Sequence, residues 1–204
     1  PDWKNARSAW HDGQGAVALE ALHRATARHP ENVEALRLRA EILDHLGRPL
    51  VALAALDRAI GIDPACMPAL FHKAALMNRL GDARTIRKAW QAMTATAPRS
   101  AADTALRGTA WLQLGRIEQA LADFDQALAL DPKLVGAWHG RANALFREGR
   151  LDEADEALGR ACALVPDDLT LAWERAIACL PAIQMPWHDL PALRRRASAI
   201  LAGL

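Results

Sequence analysis

The chain has no tyrosine, only three serines and three cysteines, and few β-branched residues among its 204. Each scarcity excludes something. Strands draw on β-branched and aromatic side chains, whereas the abundant Ala, Leu and Arg lose little rotamer freedom in a helix, so an all-α fold is expected. Cys66, Cys162 and Cys179 are odd in number and lack CxxC spacing, and two fall where a helix should be apolar; reduced core thiols and a cytoplasmic setting follow. Charge of one sign is also lacking. The 25 Lys and Arg nearly cancel the 24 Asp and Glu, so no net field draws in a phosphate backbone, and nucleic acid is not an expected partner. No apolar run approaches the roughly 20 residues of a membrane span, and no charged-then-apolar leader opens the chain. Pro1 stands where an initiator methionine would, which implies trimming or excision from a longer chain.

The residues of an active site are scarce as well. Ser8, His11 and Asp12 are neighbours on one expected helix without the supporting elements of a nucleophile system. The histidines stand singly, with no HExxH and no Cys/His pairs at zinc spacing. Glycines fall one per helix end rather than in a phosphate loop, and the acids of "PDD" and "DEADE" sit at helix starts, where the macrodipole already favours them. No catalytic residue, metal or cofactor is expected.

What is present is a period. Glycines stand at 13, 47, 81, 115 and 149 and prolines at 30, 64, 98, 132 and 166, each series stepping by 34 residues. Every unit reads as two helices. In residues 101–132 the first runs from about Ala101 to Leu114, opened by a capping box at Ser100 and Asp103 and closed by Gly115 in a left-handed turn. The second runs from Glu118 to Asp131 and stops at Pro132. Small residues recur where helices must approach: Ala6, Ala40, Ala74, Gly108 and Ala142 in first helices; Ala18, Ala52, Ala120 and Ala154, then Ala25, Ala59, Ala127 and Ala161, in second helices. Leu22, Leu56, Trp90, Phe124 and Leu158 fill the spaces between. The third unit departs, with Ile86 and Met93 in alanine columns, which predicts wider helix spacing there.

This pattern resembles the tetratricopeptide repeat family, and "AWHGRANALFREGRLDEADEALGRACALVP" (137–166) matches its unit nearly throughout. The resemblance implies a right-handed superhelix, an α-solenoid of five helix-turn-helix repeats at about 1–32, 33–66, 67–100, 101–134 and 135–168, with a sixth first-helix at 169–180. It also implies a concave groove lined by the first helices. With the repeat proline as position 32, positions 4, 8 and 11 make the buried stripe, and positions 2, 5, 9, 12 and 13 face the other way. Position 5 reads Trp3, Arg37, Phe71, Ala105, His139 and Trp173; position 9 reads Arg7, Glu41, Ala75, Thr109 and Asn143. Position 12 reads Trp10, Asp44, Asn78, Leu112 and Phe146, and position 13 reads His11, His45, Arg79, Gln113 and Arg147. Phe71 and Phe146 are the candidate groove aromatics, while Trp3, Trp10 and Trp173 are expected to pack under terminal helices. The position-13 cations suit a carboxylate or plain solvation. A chaperone-type carboxylate clamp is not reproduced. Nor is the asparagine column of O-linked N-acetylglucosamine transferases, because position 6 reads Lys4, Leu38, His72, Leu106, Gly140 and Glu174.

A second basic column, Arg39, Lys73, Arg107, Arg141 and Arg175 at position 7, lies about 160° from the groove centre. Its stems are expected to pack along a helix seam and its heads to meet acids or water.

The tail breaks the register, since Ile183 and Ile200 stand where glycine and proline are due. "CLPAIQMPWHDLP" (179–191) reads as an elbow with Trp187 as a plug. A capping helix then begins at Asp189 and Pro191, striped with Leu190, Leu193, Ala197, Ile200, Leu201 and Leu204. The segment at Leu180, Pro181, Ile183, Arg194, Arg196, Leu201 and Leu204 also resembles the junction between repeats and catalytic domain in bacterial O-GlcNAc-transferase-like protein glycosyltransferases, with Gln184 where their tyrosine stands. The sequence therefore supports a non-catalytic module that binds a peptide or protein segment. The alternative is the substrate-recruiting arm of a larger glycosyltransferase, and self-association through an uncovered solenoid end stays open.

Overall fold

A computed structural model of the chain describes residues 2–81 and 83–178. The expectations for the elbow, the Trp187 plug, the capping helix, the glycosyltransferase-like junction and Cys179 lie outside these residues. Among those described there are eleven helices and no strand: α1 (Asp2–His11), α2 (Gly15–Arg28), α3 (Val33–His45), α4 (Pro49–Ile62), α5 (Met67–Leu80), α6 (Ala83–Ala95), α7 (Ala101–Gln113), α8 (Ile117–Leu130), α9 (Val135–Glu148), α10 (Leu151–Leu164) and α11 (Leu169–Ala178). They pair as antiparallel hairpins in the expected order. The chain divides into two compact units, residues 1–98 and 99–204. In the first unit α3 packs on α2 and α5 on α4; in the second α9 packs on α8 and α11 on α10.

The periodic punctuation acts through hydrogen bonds. Gly47 and Gly115 take left-handed φ values of 71° and 74°, which turns the next amides back: Arg48 N–H donates to the Leu43 carbonyl at 2.8 Å and Arg116 N–H to that of Trp111 at 2.9 Å. Gly81 occupies the same column with a different backbone, φ −94° and ψ 168°. A Cβ there would lie 2.8 Å from the Met77 carbonyl oxygen, so this glycine answers to space rather than handedness. At the other end of each second helix, His29, Asp63, Asp131 and Val165 leave helical geometry ahead of the proline, and each amide still donates to the alanine carbonyl four residues back. Ser100 accepts from the Asp103 amide at 3.1 Å, and the Asp103 carboxylate accepts from Arg99 N–H at 3.0 Å, so the expected cap is present with its return bond moved one residue earlier.

The small-residue columns are the helix contacts. Ala6, Ala40, Ala74 and Ala142, and Ala18, Ala52, Ala120 and Ala154, are fully buried. Leu56 and Leu22 are fully buried, each within a core cluster of the first unit. Phe124 centres the second unit, where it lies against two glycines: a Cβ on Gly108 would come within 2.9 Å of its ring, and one on Gly140 would fall inside the ring's envelope. The third hairpin is the looser one. Helix α6 buries only Trp90 and Met93, with Ile86 half-buried, whereas α4 buries Ala52, Ala55, Leu56 and Ala59.

Candidate functional site

In the first unit the residues expected to line a groove come from α3 and α5. Asp44 is the centre. Arg79, one repeat on, donates from Nη2 and Nη1 to its two oxygens at 2.5 and 3.2 Å, and His72 Nε2 lies 3.5 Å away. Burial pushes the Asp44 carboxyl up, but hydrogen bonds and charge from Arg79 and His72 outweigh it and hold the group below its ordinary value. A carboxyl depressed in the folded state stabilises above its unfolded value, near 3.9, and loses that contribution as pH falls through the lower folded value. Asp44→Asn is therefore expected to be less stable than the parent at pH 7. The gap should close below about pH 4, as read by denaturant unfolding across pH; a gap constant with pH would exclude the ion pair as its cause.

Around Asp44 the face is ordered from beneath. Phe71 meets Trp90 edge-on at 5.8 Å between ring centroids, and Trp90 Nε1 donates to Asn78 at 3.1 Å, so the core tryptophan of α6 fixes two of the candidate residues. His45 bonds to the Glu41 carbonyl at 2.9 Å through Nδ1 and packs against Trp10 at 5.5 Å. Arg37 donates to Glu34 at 2.9 Å, while its Nε is buried without a partner.

In the second unit the face comes from α7, α9 and α11. His139 Nε2 donates to Glu174 at 2.7 Å, and the Asn143 amide closes on the same nitrogen at 3.2 Å. Arg147 donates to the Leu112 carbonyl at 2.8 Å. Thr109 bonds back to its own helix at Ala105, Gln113 is exposed, and Phe146 is half-buried against Ala142, Ala157 and Leu158.

Three of these contacts, Asp44 with Arg79, Leu112 with Arg147 and His139 with Glu174, join residues 35 apart. One repeat plus one residue is the separation that sets side chains of adjacent first helices side by side. Position 6 enters the face through Glu174, 35 residues from His139, and through His72, 28 residues from Asp44, which helical phase alone did not reveal; the acid of each pair, set one repeat from its partner, was the available signal.

The structure corrects two columns. Ala105 and Leu112, in positions expected to face away from the core, are buried at 8% and 5% exposure, because α9 packs directly on α7 and takes up aliphatic groups at the edge of the stripe. Trp3 and Trp10 pack against the first core cluster as expected, but Trp173 is 57% exposed.

The position-7 cations behave as seam residues. Lys73 meets Asp57 at 2.6 Å, Arg107 grips Asp123 with two bonds, Arg141 meets Asp125 at 2.8 Å and Arg175 meets Asp155 at 2.9 Å. Arg39 alone in the column has no ion pair or hydrogen bond among the described residues.

The described residues hold no cluster of three or more His, Cys, Asp or Glu placed for a metal, and no helix long and apolar enough to cross a membrane. Cys66 and Cys162 are free thiols, both pushed up by burial and so poor thiolates.

Comparison with known proteins gives concordant matches. Three family profiles align: a tetratricopeptide repeat over residues 4–65, a TPR repeat over 108–149 and a tetratricopeptide repeat over 135–179. No curated protein matches. Among solved structures, the chain is similar to TTC0263, a thermophilic TPR protein of Thermus thermophilus, with a TM-score of 0.70 and 24% identity over 88% of this chain and 98% of that one. It is similar to the type IV pilus biogenesis factor PilW, with a TM-score of 0.70 and 21% identity over 98% and 90%. It is also similar to YrrB, described as a TPR protein with an unusual peptide-binding site, with a TM-score of 0.52 and 17% identity over 91% of both.

Proposed function

Because the chain belongs to the tetratricopeptide repeat family, we propose that it is a non-catalytic interaction module whose first-helix faces hold a peptide or an extended segment of a partner protein. The observation that supports this most is the pre-set polar face. Asp44 is locked to Arg79 and His72 in the first unit, and His139 to Glu174 in the second, and locked side chains lose little further entropy when a ligand arrives. Beside them Phe71 and Phe146 stay half-buried, so each offers part of its ring as an anchor. Arg37, Glu41, His45 and Asn78 complete the proposed contact face of the first unit, and Thr109, Gln113, Asn143 and Arg147 that of the second. That YrrB is named for a peptide-binding site accords with this reading. A second reading, the recruiting arm of a larger protein glycosyltransferase, rests on the Leu180–Leu204 motif alone and uses the same surface.

The test is a random-peptide phage selection on the whole chain, followed by affinity measurement of the selected peptides. Phe71→Ala combined with Phe146→Ala is expected to weaken them about tenfold or more, with helical circular dichroism retained. Arg141→Ala, off the face, is expected to change nothing. Equal affinity for the parent and the double variant would remove the groove assignment.

A further inference from the structure

The seam opposite the groove contains one break. Position 25 of a second helix is where the next repeat's position-7 cation lands: Asp57 receives Lys73 and Asp125 receives Arg141. Where position 25 is not acidic the cation finds another aspartate. Arg107 reaches Asp123, and Arg175 lies over Gly159 and turns to Asp155. In the first repeat position 25 is His23 and no aspartate substitutes for it. Arg39 thus stays unpaired among the described residues, half-buried in a cleft of about 280 Å³ lined by α2, α3 and the start of α4.

The same cleft gathers a second guanidinium. Arg48, also without a partner among the described residues, sits on its wall at the N-cap of α4. An arginine has no acceptor with which to cap a helix, and no side-chain bond caps this one, so the free amides of Leu50 and Val51, after Pro49, add their partial positive charge beside it. Glu20 is the one carboxylate on the rim, so two guanidiniums against it leave the cleft cationic. Leu19, Leu43 and Val51 supply an aliphatic floor.

We infer that this cleft is a binding site for a small organic anion, its carboxylate or phosphate head held by Arg39 and Arg48 and its short aliphatic body laid on Leu19, Leu43 and Val51. Guanidiniums favour such heads because two parallel N–H donors match two oxygens. The site faces away from the groove, so it can be occupied while a peptide is bound.

The experiment follows the arginine Nε–H signals of the ¹⁵N-labelled whole chain while inorganic phosphate or butyrate is added at constant ionic strength. Saturable shifts of the Arg39 and Arg48 signals are expected, with the Arg107 signal, locked on Asp123, unmoved. Saturation by phosphate assigns a phosphate head and saturation by butyrate a carboxylate. Arg39→Gln is expected to weaken binding about tenfold or more. His23→Asp supplies the carboxylate that the other seams carry, so it keeps the fold while filling the site from within, and binding should fall by a similar factor. Non-saturating shifts spread over all arginines, or unchanged affinity in His23→Asp, would overturn the site.

Discussion

Phe124→Ala is expected to lower the stability of the second unit by about 4 kcal/mol, at the upper end for large-to-small core substitutions. The ring is fully buried, and two residues that face it, Gly108 and Gly140, have no side chains that could move into the void. The reciprocal change is as informative. Gly140→Ala gains about 1 kcal/mol in helix propensity, but its methyl falls inside the ring's envelope, and overpacking costs about 1–3 kcal/mol. The steric term wins because the ring has nowhere to go, so the substitution is expected to destabilise by about 1 kcal/mol net. Leucine occupies the same column at Leu22, Leu56 and Leu158, so Phe124→Leu should relieve the clash, and the double variant should be more stable than the sum of its parts. Urea unfolding of the four proteins measures the cycle. A neutral or stabilising Gly140→Ala in the Phe124 background would mean that the ring is not confined between the two glycines.

The second large effect is at Arg107. Its partner Asp123 is buried, with a side chain only 8% exposed, whereas Asp57 and Asp125, which pair with Lys73 and Arg141, are 57% and 60% exposed. Arg107→Met leaves a buried carboxylate without its two bonds and is expected to cost about 3 kcal/mol. Arg141→Met breaks a solvated pair and should cost less than about 1 kcal/mol. Removing both partners, as in Arg107→Met with Asp123→Leu, is expected to recover most of the loss, because the penalty belongs to the stranded charge. Denaturant midpoints at pH 7 decide it. Equal costs for Arg107→Met and Arg141→Met would show that burial of Asp123 does not govern the pair.

The hairpin order, the turn glycines and the alanine contacts were legible because they follow from chain geometry that every repeat shares: a left-handed φ at Gly115 or a close approach at Ala142 leaves little choice of residue. The seam was legible too, since helical phase separates Arg141 and Arg175 from the groove. What the sequence left open concerns neighbours. Phase placed Ala105 and Leu112 on the groove side, yet an adjacent helix covers them, and phase says nothing of that helix's distance. It placed Arg79 and His139 as available side chains, but Asp44 and Glu174 hold them through contacts that arise only when two first helices lie side by side. Gly81 shows the same limit, since one residue in one column serves two different physical needs.

The lateral bonds that join residues 35 apart carry a consequence for how such a chain can be edited. Each bond refers only to the next copy, never to a fixed place in the whole. Duplicating or deleting a complete copy inside either unit keeps the 34-residue phase, so each first helix still presents the same positions to its neighbour even where the residues there differ. A single extra residue inside one first helix turns the rest of that helix by about 100° and takes Arg79 or Arg147 off its mark. Change by whole copies is therefore cheap, and change by single letters within a copy is not.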